Sequence, residues 1–234
     1  MERDEKLGGN AIKTDSKVLS RIENFWYHYK WPTIVVCFFV IVVLVCSLQV
    51  CNKEKVDISV AYAGPFHMEG ETAFDIKSVL NSVMPEDYDK DGSKNSQLLC
   101  YNIYTQEQIE KIEADGKEII DRSYIANENK NFFNYTTTEG GICFIDPSLY
   151  QTLKDSDRLA KIPEVVGYTP DGLIDEYGIA ISELGIYEEY AVLRQLPEDT
   201  VVCLLRRQLT KKEEAYETEK DMFTAIITYK SDEK

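Results

Sequence analysis

The chain has 234 residues, 26 of them basic and 41 acidic, for a net charge of −15. So acidic a balance argues against nucleic acid as a partner, because phosphate binding rests on clustered lysine and arginine. Six widely spaced cysteines and two histidines offer neither a disulfide framework nor a local zinc spacing.

Residues 1–31 carry Arg3, Lys6, Lys13, Lys17, Arg21 and Lys30, and end in the aromatic cluster Phe25, Trp26, Tyr27, Tyr29 and Trp31. Thr33 to Cys51 follows, a predominantly apolar run without a charge. At 1.5 Å per residue it extends about 28 Å, the thickness of a bilayer's hydrocarbon core, so residues 32–51 are expected to form one membrane-spanning signal-anchor helix. The apolar stretch is too long for a cleaved signal peptide. Val50 before Cys51 suits lipidation poorly, and Cys37, Cys46 and Cys51 read as apolar filling. Basic residues favour the cytoplasmic side, which places the tail inside and residues 52–234 outside the cell membrane. Pro32 is expected near the helix entrance, and His28 is expected to be an interfacial bystander.

Residues 52–234 hold 20 basic and 36 acidic residues, a net charge of −16. That length suits one compact domain. Val56 to Ala63 alternates polar and apolar positions and ends at Gly64-Pro65, as a strand followed by a turn does. Ala73, Ile76, Val79, Leu80, Val83 and Met84 recur at helical spacing before Pro85. Gln97 to Tyr104 reads as a second strand. Thr105 with Gln108 forms a capping-box pattern for a helix through Ile109 and Ile112. A further helix is expected over Glu128 to Thr138, stopped by Gly140-Gly141, with Ile119 and Ile120 permitting an earlier segment. Ile142 to Ile145 suits a strand covered on both faces. Asp146-Pro147-Ser148 then turns into a helix through Tyr150 and Leu153, and Leu159 to Ile174 is expected to be an irregular surface connection. Tyr177 to Ser182 and Val201 to Arg206 read as strands. Thr210 with Glu213 repeats the capping-box pattern for a last helix, with Ala215, Tyr216, Met222, Phe223, Ile226 and Ile227 facing inward. The expected fold is α/β: a three-layer sandwich with a mostly parallel or mixed sheet.

The segment Asp87-Tyr88-Asp89-Lys90-Asp91-Gly92-Ser93-Lys94-Asn95 places carboxylates at alternate positions and a glycine where a calcium loop turns sharply. Asp87, Asp89, Asp91, Ser93 and Asn95 are therefore candidate ligands of a weak calcium site. Leu98 stands where an EF-hand has its bidentate glutamate, and the loop leads to a strand, so an ordinary acidic turn is the competing reading. Cys100, Cys143 and Cys203 sit among apolar neighbours, as packing residues do. No phosphate-binding loop, nucleophile elbow or helical histidine pair is present, so no catalytic residue is assigned. Asp171 with Asp175, and Glu188 with Glu189, read as solvent-facing pairs, His67 has no nearby serine or cysteine partner in sequence, and the sequon Asn134-Tyr135-Thr136 reads as a chance match.

Thr138 to Ile162 (TEGGICFIDPSLYQTLKDSDRLAKI) resembles a recurring piece of bacterial type II extracytoplasmic solute-binding proteins, where a glycine turn, a short apolar strand and a helix follow one another. Val56 to Ala63 and the next helix match the start of such a lobe. Asp57 to Pro65 after the anchor, with Leu196-Pro197-Glu198-Asp199-Thr200-Val201, is also similar to uncharacterised single-pass membrane proteins of Gram-positive bacteria. The resemblance implies an extracytoplasmic lobe. Residues 52–234 provide for one lobe only, whereas such proteins hold ligand between two. The expected function is a non-enzymatic, membrane-anchored binding or interaction domain for an envelope protein, a peptide or a small solute. The alternative is a membrane-tethered hydrolase whose carboxylates come from distant loops.

Overall fold

The computed structural model describes residues 17–51, 55–68, 70–116 and 121–230. The chain divides into two units, residues 1–54 and 55–234. In the first, α1 (Lys17–Cys51) is continuous over 35 residues, and its stretch Phe25–Ser47 is long and apolar enough to cross a bilayer. The apolar side chains of this stretch are exposed, as a lipid-facing surface requires. Ser47 donates its hydroxyl to the Val43 carbonyl at 2.7 Å, satisfying the one hydroxyl at the end of that stretch within the helix itself. The helix starts fifteen residues before position 32, so Pro32 lies inside it and not at its entrance.

The second unit begins with β1 (Ile58–Gly64), α2 (Gly70–Val83) and β2 (Ser96–Asn102). Next come α3 (Gln106–Ala114), α4 (Arg122–Thr138), β3 (Ile142–Ile145) and α5 (Pro147–Asp155). The chain continues through α6 (Ile162–Val166), β4 (Leu173–Asp175), β5 (Gly178–Ala180), α7 (Gly185–Glu189), β6 (Val201–Leu204) and α8 (Glu213–Ile227). The sheet has six strands in the order β2-β1-β3-β6-β5-β4. β2, β1 and β3 are parallel, while β6, β5 and β4 join antiparallel. The sheet is thus mixed.

Alternation along the strands builds two apolar layers. Val60, Tyr62, Ile142, Phe144, Val202 and Leu204 meet Ile76, Leu80, Met222, Phe223 and Ile226 from α2 and α8 on one face. Ala61, Ala63, Cys143, Ile145, Val201 and Cys203 meet Phe132, Tyr135, Leu149 and Leu153 from α4 and α5 on the other. Every residue of β3 and β6 is buried, because helices cover both faces. This is the expected three-layer α/β sandwich.

Three local expectations are corrected. The connection from Leu159 to Ile174 is not a surface loop: Leu159 and Ile162 are fully buried, Leu159 bridges to Leu205, and the segment contains α6 and the start of β4. The Thr210–Glu213 capping box does not form: α8 starts at Glu213 after Lys212, without a side-chain cap, and the Glu213 carboxylate pairs with Arg207. On α8, Ala215 is exposed and Glu219 is buried. The Thr105–Gln108 box forms in both directions, at 3.2 and 2.7 Å. Ile119 and Ile120 lie outside the described residues.

Candidate functional site

In an open α/β sheet, ligands commonly sit at the carboxyl ends of the strands where the strand order reverses, here between β1 and β3. In this domain the molecule's own side chains fill that position. Asp146 donates its backbone N–H to the Ala63 carbonyl at 2.9 Å. Its carboxylate accepts from the Ser148 N–H at 2.8 Å, capping α5, and from the Gln108 amide at 3.2 Å. Tyr62 turns its hydroxyl back to accept from the Phe66 N–H at 3.1 Å. A Cβ on Gly64 would come within 2.8 Å of that hydroxyl, so β1 ends in glycine where the ring folds over it.

A cleft of about 480 Å³ lies at the opposite ends of β1 and β3. Val56, Asp57, Ile58 and Ser59 line it from the start of β1, and Tyr88 and Asp89 from the acidic loop. Thr138, Glu139 and Gly140 contribute from the approach to β3, and Lys211, Ala215, Thr218 and Glu219 from α8 and the turn before it. Glu219 is 6% exposed and forms an ion pair with Lys211, which also donates to the Glu139 carbonyl at 2.7 Å. Burial raises the Glu219 carboxyl above its ordinary value, and the Lys211 ammonium offsets part of that rise. Glu219 Oε2 and the Tyr135 hydroxyl are both buried without a hydrogen-bond partner. Gly141, at φ +131°, separates the two groups: a Cβ there would lie 2.8 Å from Glu219 Oε1 and 3.1 Å from the Tyr135 hydroxyl. Only glycine fits this approach.

Of the five candidate calcium ligands, the structure brings Asp87 and Asp89 together, and their third partner is Asp57 from the approach to β1. One oxygen from each of these three carboxylates lies within 4.8 Å of the other two. Asp91 is not part of that group; it accepts from the Ser93 N–H and hydroxyl at 3.0 and 2.8 Å. Asn95 turns its amide to the Lys55 carbonyl at 2.8 Å. Asp57 organises the loop, accepting backbone N–H bonds from Tyr88, Asp89 and Asn95 at 2.9, 3.0 and 2.8 Å. Hydrogen bonds from the Gly92 and Lys90 N–H groups hold the Asp87 carboxyl low, whereas desolvation raises that of Asp89.

The remaining candidates separate. Asp171, Glu188 and Glu189 are exposed, but Asp175 is half-buried and accepts from Lys154 at 2.6 Å, from the Tyr177 N–H at 2.8 Å and from the Tyr150 hydroxyl. Desolvation alone would raise its carboxyl; these three donors together bring it below the ordinary value. Asp175 is thus no solvent-facing partner of Asp171. Cys143 and Cys203 are buried opposite one another across β3 and β6, as free thiols. Another groove, about 440 Å³, gathers Lys161, Arg206, Arg207 and Lys220, each already paired with a carboxylate: Glu176, Asp157, Glu213 and Glu217 respectively.

Asp57, Lys211 and Glu219 belong to no motif in the sequence. Glu219 left one legible signal, a charge on the apolar stripe of α8 between Tyr216 and Met222, whereas Asp57 joins its loop across some 30 residues with no local spacing. Comparison with protein-family models, curated proteins and solved structures finds no match to this chain.

Proposed function

We propose that this is a single-pass, membrane-anchored binding protein whose acidic domain lies outside the cell and takes a small amine-bearing solute in the cleft between the amino ends of β1 and β3 and helix α8. One observation carries the reading: among the described residues, the cleft is lined by Asp57, Asp89, Glu139 and Glu219 against a single cation, Lys211, which is already committed to Glu219. An ammonium group is the complementary ligand chemistry, and about 480 Å³ falls in the size range of small-molecule sites. The site lies within one lobe, which suits a domain with a single sheet. The basic tail before Phe25 supports the assigned sidedness.

The test is a melting series on the full chain in detergent with lysine, arginine, putrescine and spermidine. A ligand present at a hundred times its Kd stabilises by about 2.7 kcal/mol, which is a readable shift. Stabilisation by at least one member, lost in Asp57→Asn and Glu219→Gln, supports the reading. No shift with any of the four ends it, and hydrolysis of a bound compound would favour the hydrolase alternative. A weak calcium ion is the competing occupant of Asp57 and Asp89, which with Asp87 offer the closely set oxygens that calcium prefers. An unchanged melting temperature in millimolar calcium removes that assignment.

A further inference from the structure

β2 is the edge strand beyond β1, and the loop after β1 runs past its carboxyl end. Leu98 packs into the layer formed with α2 and α8, so Cys100 and Asn102, two and four residues further along, face the same side. Met68 packs against that layer too. Two contacts tie loop to strand. Cys100 Sγ lies 3.4 Å from Met68 Sδ, and the Asn102 side-chain amide lies 2.8 Å from His67 Nδ1. Consecutive residues of the loop therefore meet alternate residues of the strand, which sets a thioether against the thiol of Cys100 and an imidazole against the amide of Asn102, two residues on. Cys100 is the exposed cysteine of the described residues after α1, since Cys143 and Cys203 are buried.

We propose that Cys100, Met68 and His67 form a binding site for a soft monovalent metal ion, copper(I), at the carboxyl end of β2. Thiolate and thioether ligands select copper(I) over the hard cations that carboxylates hold, and imidazole completes a three-coordinate set. A metal about 2.3 Å from each sulfur, in trigonal geometry, needs the two sulfurs about 4 Å apart. They stand 3.4 Å apart, and methionine's unbranched chain supplies the small opening required. Asn102 provides the orienting contact. In the structure Asn102 Nδ2 faces His67 Nδ1 while its Oδ1 is buried without a partner; turned over, the amide presents Oδ1 to the Nδ1–H and leaves the Nε2 lone pair for the metal, the arrangement usual for ligating histidines. Without metal Cys100 is a free, exposed thiol with its S–H intact. Binding replaces that proton: the S–H bond gives its proton to solvent, the thiolate bonds copper(I), and no electron changes hands.

The experiment titrates copper(I), delivered from a chromogenic copper(I) chelator, into the full chain in detergent. Wild type is expected to bind one equivalent more than Cys100→Ser, and that equivalent should protect Cys100 from alkylation. Met68→Leu conserves volume, and His67→Phe alters an exposed residue, so both should fold; each is expected to weaken binding about tenfold or more. Equal stoichiometry in wild type and Cys100→Ser overturns the proposal. So does wild-type affinity in both Met68→Leu and His67→Phe, which would leave only an isolated thiol.

Discussion

Lys211 and Glu219 decide how the base of the cleft behaves. Because burial raises the Glu219 carboxyl above 4.5, the folded protein holds that proton more tightly than the unfolded chain does. Its contribution therefore favours folding at pH below about 4.5 and declines as pH rises from there to the raised folded value. Replacing Lys211 by methionine removes the opposing charge and extends the decline to higher pH. Lys211→Met should lose about 3 kcal/mol at pH 7, the low end for a broken buried pair because the lysine side chain is still 17% exposed. The loss should be smaller at pH 5, and Lys211→Met combined with Glu219→Gln should recover most of it at pH 7; denaturant unfolding at both pH values measures this. Gly141→Ala tests the same place from the backbone. A side chain at φ +131°, with its Cβ against Glu219 and Tyr135, should destabilise by at least about 2 kcal/mol in the same assay.

Elements were legible where one stretch of sequence holds its own reasons. α2 shows its buried Ile76, Val79, Leu80 and Val83 as helical periodicity, and α3 shows its cap in Thr105 and Gln108. The same pattern at Thr210 and Glu213 failed because Arg207, six residues before Glu213, takes its carboxylate. The segment from Leu159 looked like a loop because its buried residues pack against Leu205 and α8, far along the chain, and short-range periodicity cannot register that. The acidic loop was found, but its anchor was not: Asp57 ties three backbone N–H groups to the start of the sheet, whereas Asp91 serves only Ser93. Asp57→Ala should therefore cost about 2–3 kcal/mol and speed amide exchange at Tyr88, Asp89 and Asn95, while Asp91→Ala should cost less than about 1 kcal/mol. Equal costs would mean that the loop holds itself.

At the scale of the molecule, both apolar layers are built from residues after 57. A fragment beginning at residue 55 should be soluble in water and melt within about 2 °C of the same transition in the anchored protein, measured by scanning calorimetry. For the full chain, protease added to intact cells should digest the acidic domain; protection until lysis would reverse the assigned sidedness. Strand direction was the least readable property: continuous apolar runs such as Ile142 to Ile145 and Val201 to Leu204 announce burial on two faces but not which way the chain runs. The order in which the strands leave the ribosome gives this mixed sheet a vulnerable interval. β1, β2 and β3 can pair as soon as Ile145 emerges, yet the far flank of β3 stays bare until β6 arrives about 55 residues later. At about 5–20 residues per second that flank waits roughly 3–11 s. For those seconds the newborn chain displays Ile142-Cys143-Phe144-Ile145 as an unshielded sticky margin, so protection by a holdase during synthesis matters most between these two points.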